Sequence, residues 1–128
     1  MYVNDGPALA AIVDWEMCTI GDPLLDLGWL LATWPGGGEP TDAIAGVLGD
    51  AGGLPAPEAL VARYAERSAR DLSAIAWYVV LACLKLGIVL EGTYARACAG
   101  KADRAVGEHL HAMTLSLFGR AGTLIEGA

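Results

Sequence analysis

Apolar positions recur every three or four residues along most of the chain, a spacing that predicts helices. The stretch "GDPLLDLGWLLATW" predicts a helix with Asp22 as its N-cap and Pro23 at the first helical position. "TDAIAGVLGDAGG" and "APEALVARYAERSARD" predict two more helices, and residues 72–99 predict the longest one. Gly100 ends that helix, and Asp103 opens the last one, "DRAVGEHLHAMTLSLFGRAG".

The start of the chain has a different pattern. "MYV", "NDGP" and "ALAAIVDW" predict strand, turn and strand, because Asn-Asp-Gly is favourable turn chemistry. In the second strand the apolar residues do not alternate with polar ones, which is typical of a strand covered on both faces. The expected architecture is a single, mainly α domain over residues 1–128, with a short hairpin at about 1–15 and helices at about 22–120.

Composition restricts the function classes. The 128 residues are 55% hydrophobic and carry a net charge of −7, which argues against nucleic acid and anionic membranes as partners. The sequence fits a cytoplasmic enzyme that meets an anionic substrate with a metal or a few cations. Cys18, Cys83 and Cys98 have no metal-ligand spacing and are expected to be buried thiols. No signal-peptide pattern is visible at the N-terminus.

One apolar segment raises the question of a membrane span. Residues 75–90 contain a single charge, Lys85, and are shorter than the ~20 residues that a span needs. We therefore expect a helix inside a soluble helical domain. Trp15, Trp29 and Trp77 are expected in its core, as is Trp34.

Four carboxylates lie in the apolar stretch "AAIVDWEMCTIGDPLLDLGWLL": Asp14, Glu16, Asp22 and Asp26. Asp14 ends the predicted strand, where a carboxylate either caps a turn or holds a cation such as Mg²⁺. Glu16 is either close to a metal or a solvated loop residue, and it is also a candidate for lining a substrate cleft. Asp22 is explained by its role as N-cap.

Asp26 is harder to explain in this way. Leu24, Leu27, Gly28 and Leu31 form one apolar face of the helix, but the face that carries Asp26 is apolar too. The pattern predicts a helix that is buried on all sides. A buried carboxylate must accept hydrogen bonds or face a cation. Asp26 is therefore predicted to brace backbone N–H groups of a neighbouring loop.

Lys85 has apolar neighbours at helical spacing, which leaves three interpretations. It reaches solvent along its stem, pairs with a buried acid such as Asp26 or Glu91, or faces a substrate cleft. His109 and His111 are two positions apart, so they do not form a metal pair on a helix and are expected at the surface.

The acidic stretch resembles a known family. "IVDWEMCTIGDPLLDLGWLL" is similar to the segment after the catalytic loop in the aminoglycoside phosphotransferase and choline kinase-like family. The shared pattern is an apolar strand, Asp-Trp/Phe-Glu, a short linker, Gly-Asp-Pro, and Asp-Leu-Ala/Gly opening a helix. "AWYVVLACLKLGIVLEGTYARACAG" resembles the long C-lobe helix of the bacterial and acyl-CoA-dehydrogenase-linked branch. The resemblance implies the helical C-lobe of a protein-kinase-like fold with a short N-terminal hairpin.

The resemblance also implies roles for two carboxylates. Asp14 matches the family's Asp that holds Mg²⁺ bridging the phosphates of ATP, and Asp26 matches a buried Asp that binds the catalytic-loop backbone. The acceptor in the family is a hydroxyl group of a small molecule. The family's His-Gly-Asp loop, its following Asn and its nucleotide-binding lobe have no counterpart in the 128 residues.

These points lead to two alternative expectations. The first is the C-terminal part of an ATP-dependent phosphotransferase, inactive alone and prone to self-association through its uncovered apolar surface. The second is a stand-alone, non-catalytic helical interaction module. An upstream reading frame that encodes His-Gly-Asp and Asn would favour the first.

Overall fold

The structure, a computed structural model, describes residues 11–13, 15, 18–35 and 53–127. The described part of the chain is mainly helical, as predicted, and contains no strand. Its four helices are α1 (Leu24–Thr33), α2 (Pro57–Ala65), α3 (Ile75–Cys98) and α4 (Arg104–Glu126).

Two predicted elements fall largely outside this description. Most of the predicted hairpin, residues 1–10, and residues 41–52 of the predicted second helix lie outside the described residues. Ile12, Val13 and Trp15 belong to the predicted second strand, but each is in irregular structure and more than half exposed. For these three residues, the expectation of a strand covered on both faces is wrong.

Local capping chemistry sets the start of α1. The N–H of Leu24 donates to the carboxylate of Asp22 over 3.0 Å, and the N–H of Leu25 donates to the Asp22 carbonyl over 3.0 Å. The Asp22 carboxylate therefore caps the first turn, as predicted, although the helix begins at Leu24 with Pro23 at the N-cap position, one residue later than expected.

The helix α2 ends earlier than the sequence pattern predicted. It stops at Ala65, and the segment after it turns back before α3. The Asp71 carboxylate accepts hydrogen bonds from the N–H and the hydroxyl of Ser73, each over 2.9 Å. An aspartate that binds the backbone two residues on favours a turn over a helix, so Asp71 belongs to the turn before α3 and not to the end of α2.

The turn between α3 and α4 follows the sequence prediction. Gly100 has a φ of +69°, a conformation that favours glycine at the end of a helix. The Asp103 carboxylate accepts the N–H of Val106 over 2.9 Å and caps α4. The helix then continues to Glu126, past the predicted end, and its Leu124 packs against the core.

The long helix α3 is the centre of the fold and packs against both α1 and α4. The helices approach closely at glycines: a Cβ on Gly28 would lie 2.7 Å from the carbonyl carbon of Tyr78. A Cβ on Gly107 would collide with Ala97 across the α3–α4 contact. The core consists of small and branched apolar side chains from the three helices: Leu24, Leu27, Leu31, Ala32, Val79, Ala82, Cys83, Leu117 and Ala121.

Polar groups on α4 also connect the three helices. The hydroxyl of Thr114, which is 1% exposed, lies 3.2 Å from the carbonyl oxygen of Gly87 on α3. The Arg120 guanidinium donates to the carbonyl oxygens of Leu31 and Ala32 over 3.1 and 2.9 Å. Since the last carbonyls of a helix lack partners within it, Arg120 caps the C-terminus of α1.

Length and composition alone would allow α3 to cross a membrane. Core helices of soluble proteins pass the same test. The helix α3 packs against α1 and α4 as they do, but only 22% of its apolar window is buried. The apolar character of α3 is therefore only a weak indication of a membrane span.

The cysteines differ from one another in burial. Cys83 is buried in the core as predicted, but Cys18 and Cys98 are exposed, so the prediction of three buried thiols is wrong. Burial raises the pKa of the Cys83 thiol, and the nearby Arg120 guanidinium opposes this rise only in part.

Candidate functional site

A groove with a volume of about 880 Å³ lies between the N-terminal half of α1 and the middle of α3. We call it the α1–α3 groove. Its walls come from the segment before α1, from the first turns of α1 and from one side of α3. They are Ile12, Trp15, Cys18, Thr19, Gly21, Asp22, Pro23, Leu25, Asp26, Trp29, Lys85, Ile88 and Val89.

Asp22 is the best-connected acid of this groove. Besides the N–H of Leu24, its carboxylate accepts the hydroxyl of Tyr78 on α3 over 2.7 Å. These two hydrogen bonds, first that of Leu24 and then that of Tyr78, hold the pKa of Asp22 below its usual range, with a smaller contribution from Arg70. The bond to Asp22 in turn raises the pKa of Tyr78. Asp22 therefore fixes the segment before α1 to the long helix.

Asp26 is exposed, so the prediction that it is buried is wrong. The apolar stripe of α1 that packs on α3 consists of Leu24, Leu27, Gly28 and Leu31. The opposite face, with Asp26, is open to solvent, and no described residue donates a hydrogen bond to its carboxylate. The sequence pattern could not reveal this, because both faces of the helix carry apolar residues.

Lys85 lies on the α3 wall of the same groove and is exposed. Among the described residues, neither Asp26 nor Glu91 pairs with it, so the predicted ion pair is not formed. Glu91 is instead 2.9 Å from Nδ1 of His111. The other two interpretations, contact with solvent and contact with the cleft, both agree with the position of Lys85.

Asp14 and Glu16 lie outside the described residues, so their proposed contacts with a metal stay predictions from the sequence. Trp15 directly follows Asp14 in the chain and lines the α1–α3 groove. In the described part of the chain, no three side chains are grouped in a way that could hold a metal ion. The free carboxylate on the described wall is that of Asp26, and its oxygens suit a hard cation.

The aromatic residues of the groove were expected in the core. Trp15 is 61% exposed and Trp29 is 37% exposed, and both line the groove. Trp77 is also exposed, whereas Trp34 is half-buried and donates its Nε1–H to the Pro55 carbonyl over 2.8 Å. No feature of the sequence distinguishes these tryptophans from core residues, because their exposure depends on which segments pack above them.

His111 is not the isolated surface residue that the sequence suggested. It is half-buried between α3 and α4, where its ring stacks on Tyr94 with the ring centroids 4.2 Å apart. Together with its contact to Glu91, this stacking makes His111 part of the helix packing. His109 is exposed, as expected.

A second groove, which sequence reasoning missed, lies between α1 and α2. Its volume is about 510 Å³, and we call it the α1–α2 groove. The signal that could have revealed it is the four-residue spacing of Arg63 and Arg67 beside Leu60, which places cations next to an apolar position.

A family model described as the phosphotransferase enzyme family matches residues 1–78, which is more than half of the chain. The chain therefore belongs to this family. The matched region contains Asp14, Asp22 and Asp26 and ends at Tyr78, whereas Lys85 lies beyond it. No curated protein and no solved structure matches the chain significantly.

Proposed function

We propose that the chain is the C-terminal part of an ATP-dependent phosphotransferase that acts on a hydroxyl group of a small molecule in the cytoplasm. The observation that carries this proposal is the family match over residues 1–78, which includes the acidic stretch from Asp14 to Asp26. The resemblance to the aminoglycoside phosphotransferase and choline kinase-like enzymes, with their kinase-like fold, supports the same reaction class.

In the proposed enzyme, Asp14 holds Mg²⁺ beside the phosphates of ATP. The metal and the nucleotide supply charge neutralisation and the transferred phosphoryl group. Asp22 does not contact them in this scheme. Its hydrogen bonds to Leu24 and Tyr78 attach the segment that follows Asp14 to α1 and α3, and this attachment positions Asp14.

Asp26 supports the site in a different way. Its free, exposed carboxylate lies in a groove whose other walls are largely apolar. A catalytic loop placed on this groove would donate backbone N–H groups to Asp26 and cover the side chains of Trp15 and Trp29. Such an arrangement would explain why an acid and exposed tryptophans lie side by side.

The chain is not expected to catalyse the reaction alone. It has no His-Gly-Asp segment, and its "PGGGEP" stretch lacks the Lys-Ser/Thr that follows a phosphate-binding loop. Phosphoryl transfer depends on positioning and on charge stabilisation, which one carboxylate cannot supply. Residues 1–128 incubated with Mg²⁺, ATP and a panel of small alcohols should therefore transfer no phosphate.

The test of the proposal uses the longer protein encoded by the reading frame upstream of Met1. We expect that protein to contain His-Gly-Asp and Asn and to consume ATP in the presence of its alcohol. Asp14→Asn should abolish turnover, whereas Glu58→Gln, which removes an exposed acid on α2, should leave turnover unchanged. If turnover survives Asp14→Asn, or if residues 1–128 are active alone, the proposed division of roles is wrong.

The proposal also predicts how the isolated chain behaves. Its apolar side chains in the α1–α3 groove, such as Trp15, Ile88 and Val89, are more than half exposed. Large apolar patches rarely stay uncovered in solution, so residues 1–128 should self-associate. Analytical ultracentrifugation at micromolar concentration should show a dimer. A monomer that unfolds cooperatively would instead favour the stand-alone helical module.

A further inference from the structure

The α1–α2 groove is chemically different from the groove of the proposed active site. Its floor consists of three leucines, Leu27 and Leu30 from α1 and Leu60 from α2. Neither Asp22 nor Asp26 is among the described residues that line it. Its volume of about 510 Å³ is within the ~300–1,000 Å³ of small-molecule sites.

The described polar side chains around this floor can all donate hydrogen bonds. They are Arg63, Tyr64, Arg67 and Ser68, and no carboxylate is among the described residues that line the groove. The groove therefore carries two positive charges in a chain whose net charge is −7. By contrast, the described residues that line the α1–α3 groove include two aspartates and one lysine.

These donors are available to a ligand. The guanidinium of Arg67 has no hydrogen bond or ion pair with any described residue. Arg63 contacts Glu66 over 2.8 Å, but both side chains are more than 60% exposed, and exposed ion pairs contribute little. The Ser68 oxygen accepts the N–H of Arg70 over 3.3 Å, which leaves its own proton free. An anion can thus replace the contact with Glu66.

We propose that the α1–α2 groove binds a soluble amphipathic anion, a carboxylate or phosphate group on an apolar chain. The anionic group lies between the guanidinium groups of Arg63 and Arg67, which bind such groups through paired N–H donors. The apolar chain covers the leucine floor and removes it from water. The combination of a leucine floor and a cationic rim excludes a cationic ligand and makes an uncharged one a poor fit.

Calorimetric titration of residues 1–128 tests the chemistry. The probes are decanoate and decyl phosphate, with decanol and decyltrimethylammonium as matched controls, all below their micellar concentrations. We expect the two anions to bind about tenfold more tightly than decanol, because they add charge-assisted hydrogen bonds. Equal binding of decanoate and decanol would overturn the proposal.

Two charge-removing variants test the position. Arg67→Gln should weaken decanoate binding by about fivefold or more, since one guanidinium of the rim is lost. Arg96→Gln removes the same charge from an exposed position on α3 that does not line the groove, and should leave binding unchanged. If the two variants weakened decanoate binding equally, binding would depend only on the net charge of the protein, and the proposal would be overturned.

Two further measurements distinguish this site from other sources of binding. Decanoate should shift the backbone amide resonances of residues 27–30 and 60–68. Shifts confined to residues 85–89 would place the ligand in the α1–α3 groove and contradict the proposal. Vesicles that contain anionic phospholipid test whether the protein binds a membrane surface instead of a soluble ligand. Binding to these vesicles without binding to decanoate would contradict the proposal.

Discussion

The contact between α1 and α3 depends on Gly28, which makes it a sharp test of the packing. A Cβ built at Gly28 would lie 2.7 Å from both the carbonyl carbon and the carbonyl oxygen of Tyr78. Non-bonded carbon atoms prefer separations of about 3.5–4.0 Å. The obstructing atoms belong to the backbone of a helix, so they cannot move away as the end of a side chain can. The variant Gly28→Ala must therefore force the two helices apart.

The expected magnitude follows from two opposing effects. Overpacking a tight contact costs about 1–3 kcal/mol, and separation of the helices also weakens the contacts of Leu24 and Leu31 with α3. Alanine is favoured over glycine inside a helix by about 0.5–1 kcal/mol. The net result should be a destabilisation of about 1–2 kcal/mol for Gly28→Ala.

Gly92 offers the matched control. It lies inside α3, and a Cβ built on it meets nothing within 4 Å, so Gly92→Ala should stabilise the protein by about 0.5–1 kcal/mol. Urea unfolding followed by far-ultraviolet circular dichroism gives both free energies of unfolding. The same substitution is thus expected to lower the free energy of unfolding at Gly28 and to raise it at Gly92. If Gly28→Ala stabilises the protein as much as Gly92→Ala does, the close approach of α1 and α3 is refuted.

Three further predictions concern pH, capping and thiol chemistry. Folding lowers the pKa of Asp22, so the ionised carboxylate stabilises the fold at any pH above the usual aspartate pKa of about 3.9. This stabilisation is lost as the pH falls through the lower pKa of the folded state. The stability advantage of the wild type over Asp22→Asn should therefore shrink as the pH is lowered from 5 to 2, and a constant difference would contradict this assignment. Arg120→Lys should lower the free energy of unfolding by about 1–2 kcal/mol, because an ammonium group cannot replace the forked guanidinium that binds two carbonyls. An unchanged free energy of unfolding in urea titration would argue against this cap. Cys83 should react far more slowly with a thiol reagent than the exposed Cys18 and Cys98, since it is buried and burial raises the pKa of its thiol. Equal rates for the three thiols in the native protein would contradict the burial of Cys83 in the core.

Local chemistry was the part of the fold that the sequence predicted well. Asp22 and Asp103 were identified as helix caps, and both accept the expected backbone N–H groups. Gly100 was expected to end the longest helix, and it has the left-handed conformation that such an end requires. These features involve residues within a few positions of one another, so a single sequence contains the information that decides them.

The burial of particular side chains was less predictable, and Asp26 shows why. Its helix has apolar residues on both faces, and the stripe with Leu24, Leu27 and Leu31 packs on α3. Nothing in the periodicity ranks this stripe above the one with Trp29. The choice depends on the fit to α3, since Gly28, which has no Cβ, lets this stripe approach the backbone of Tyr78. Contacts between distant parts of the chain therefore decide what the local pattern leaves open.

The candidate site follows from the same reasoning. In the α1–α3 groove, a carboxylate and an ammonium group without described partners lie among exposed tryptophan and isoleucine side chains. Apolar side chains gain from being covered, and a free carboxylate gains from backbone donors. A single occupant that meets both needs is a polypeptide loop, because its side chains cover apolar surface while its N–H groups bind Asp26. A small alcohol alone would satisfy neither need fully. The composition of this groove thus fits the support of a catalytic loop, as in the proposed enzyme, better than a complete substrate site.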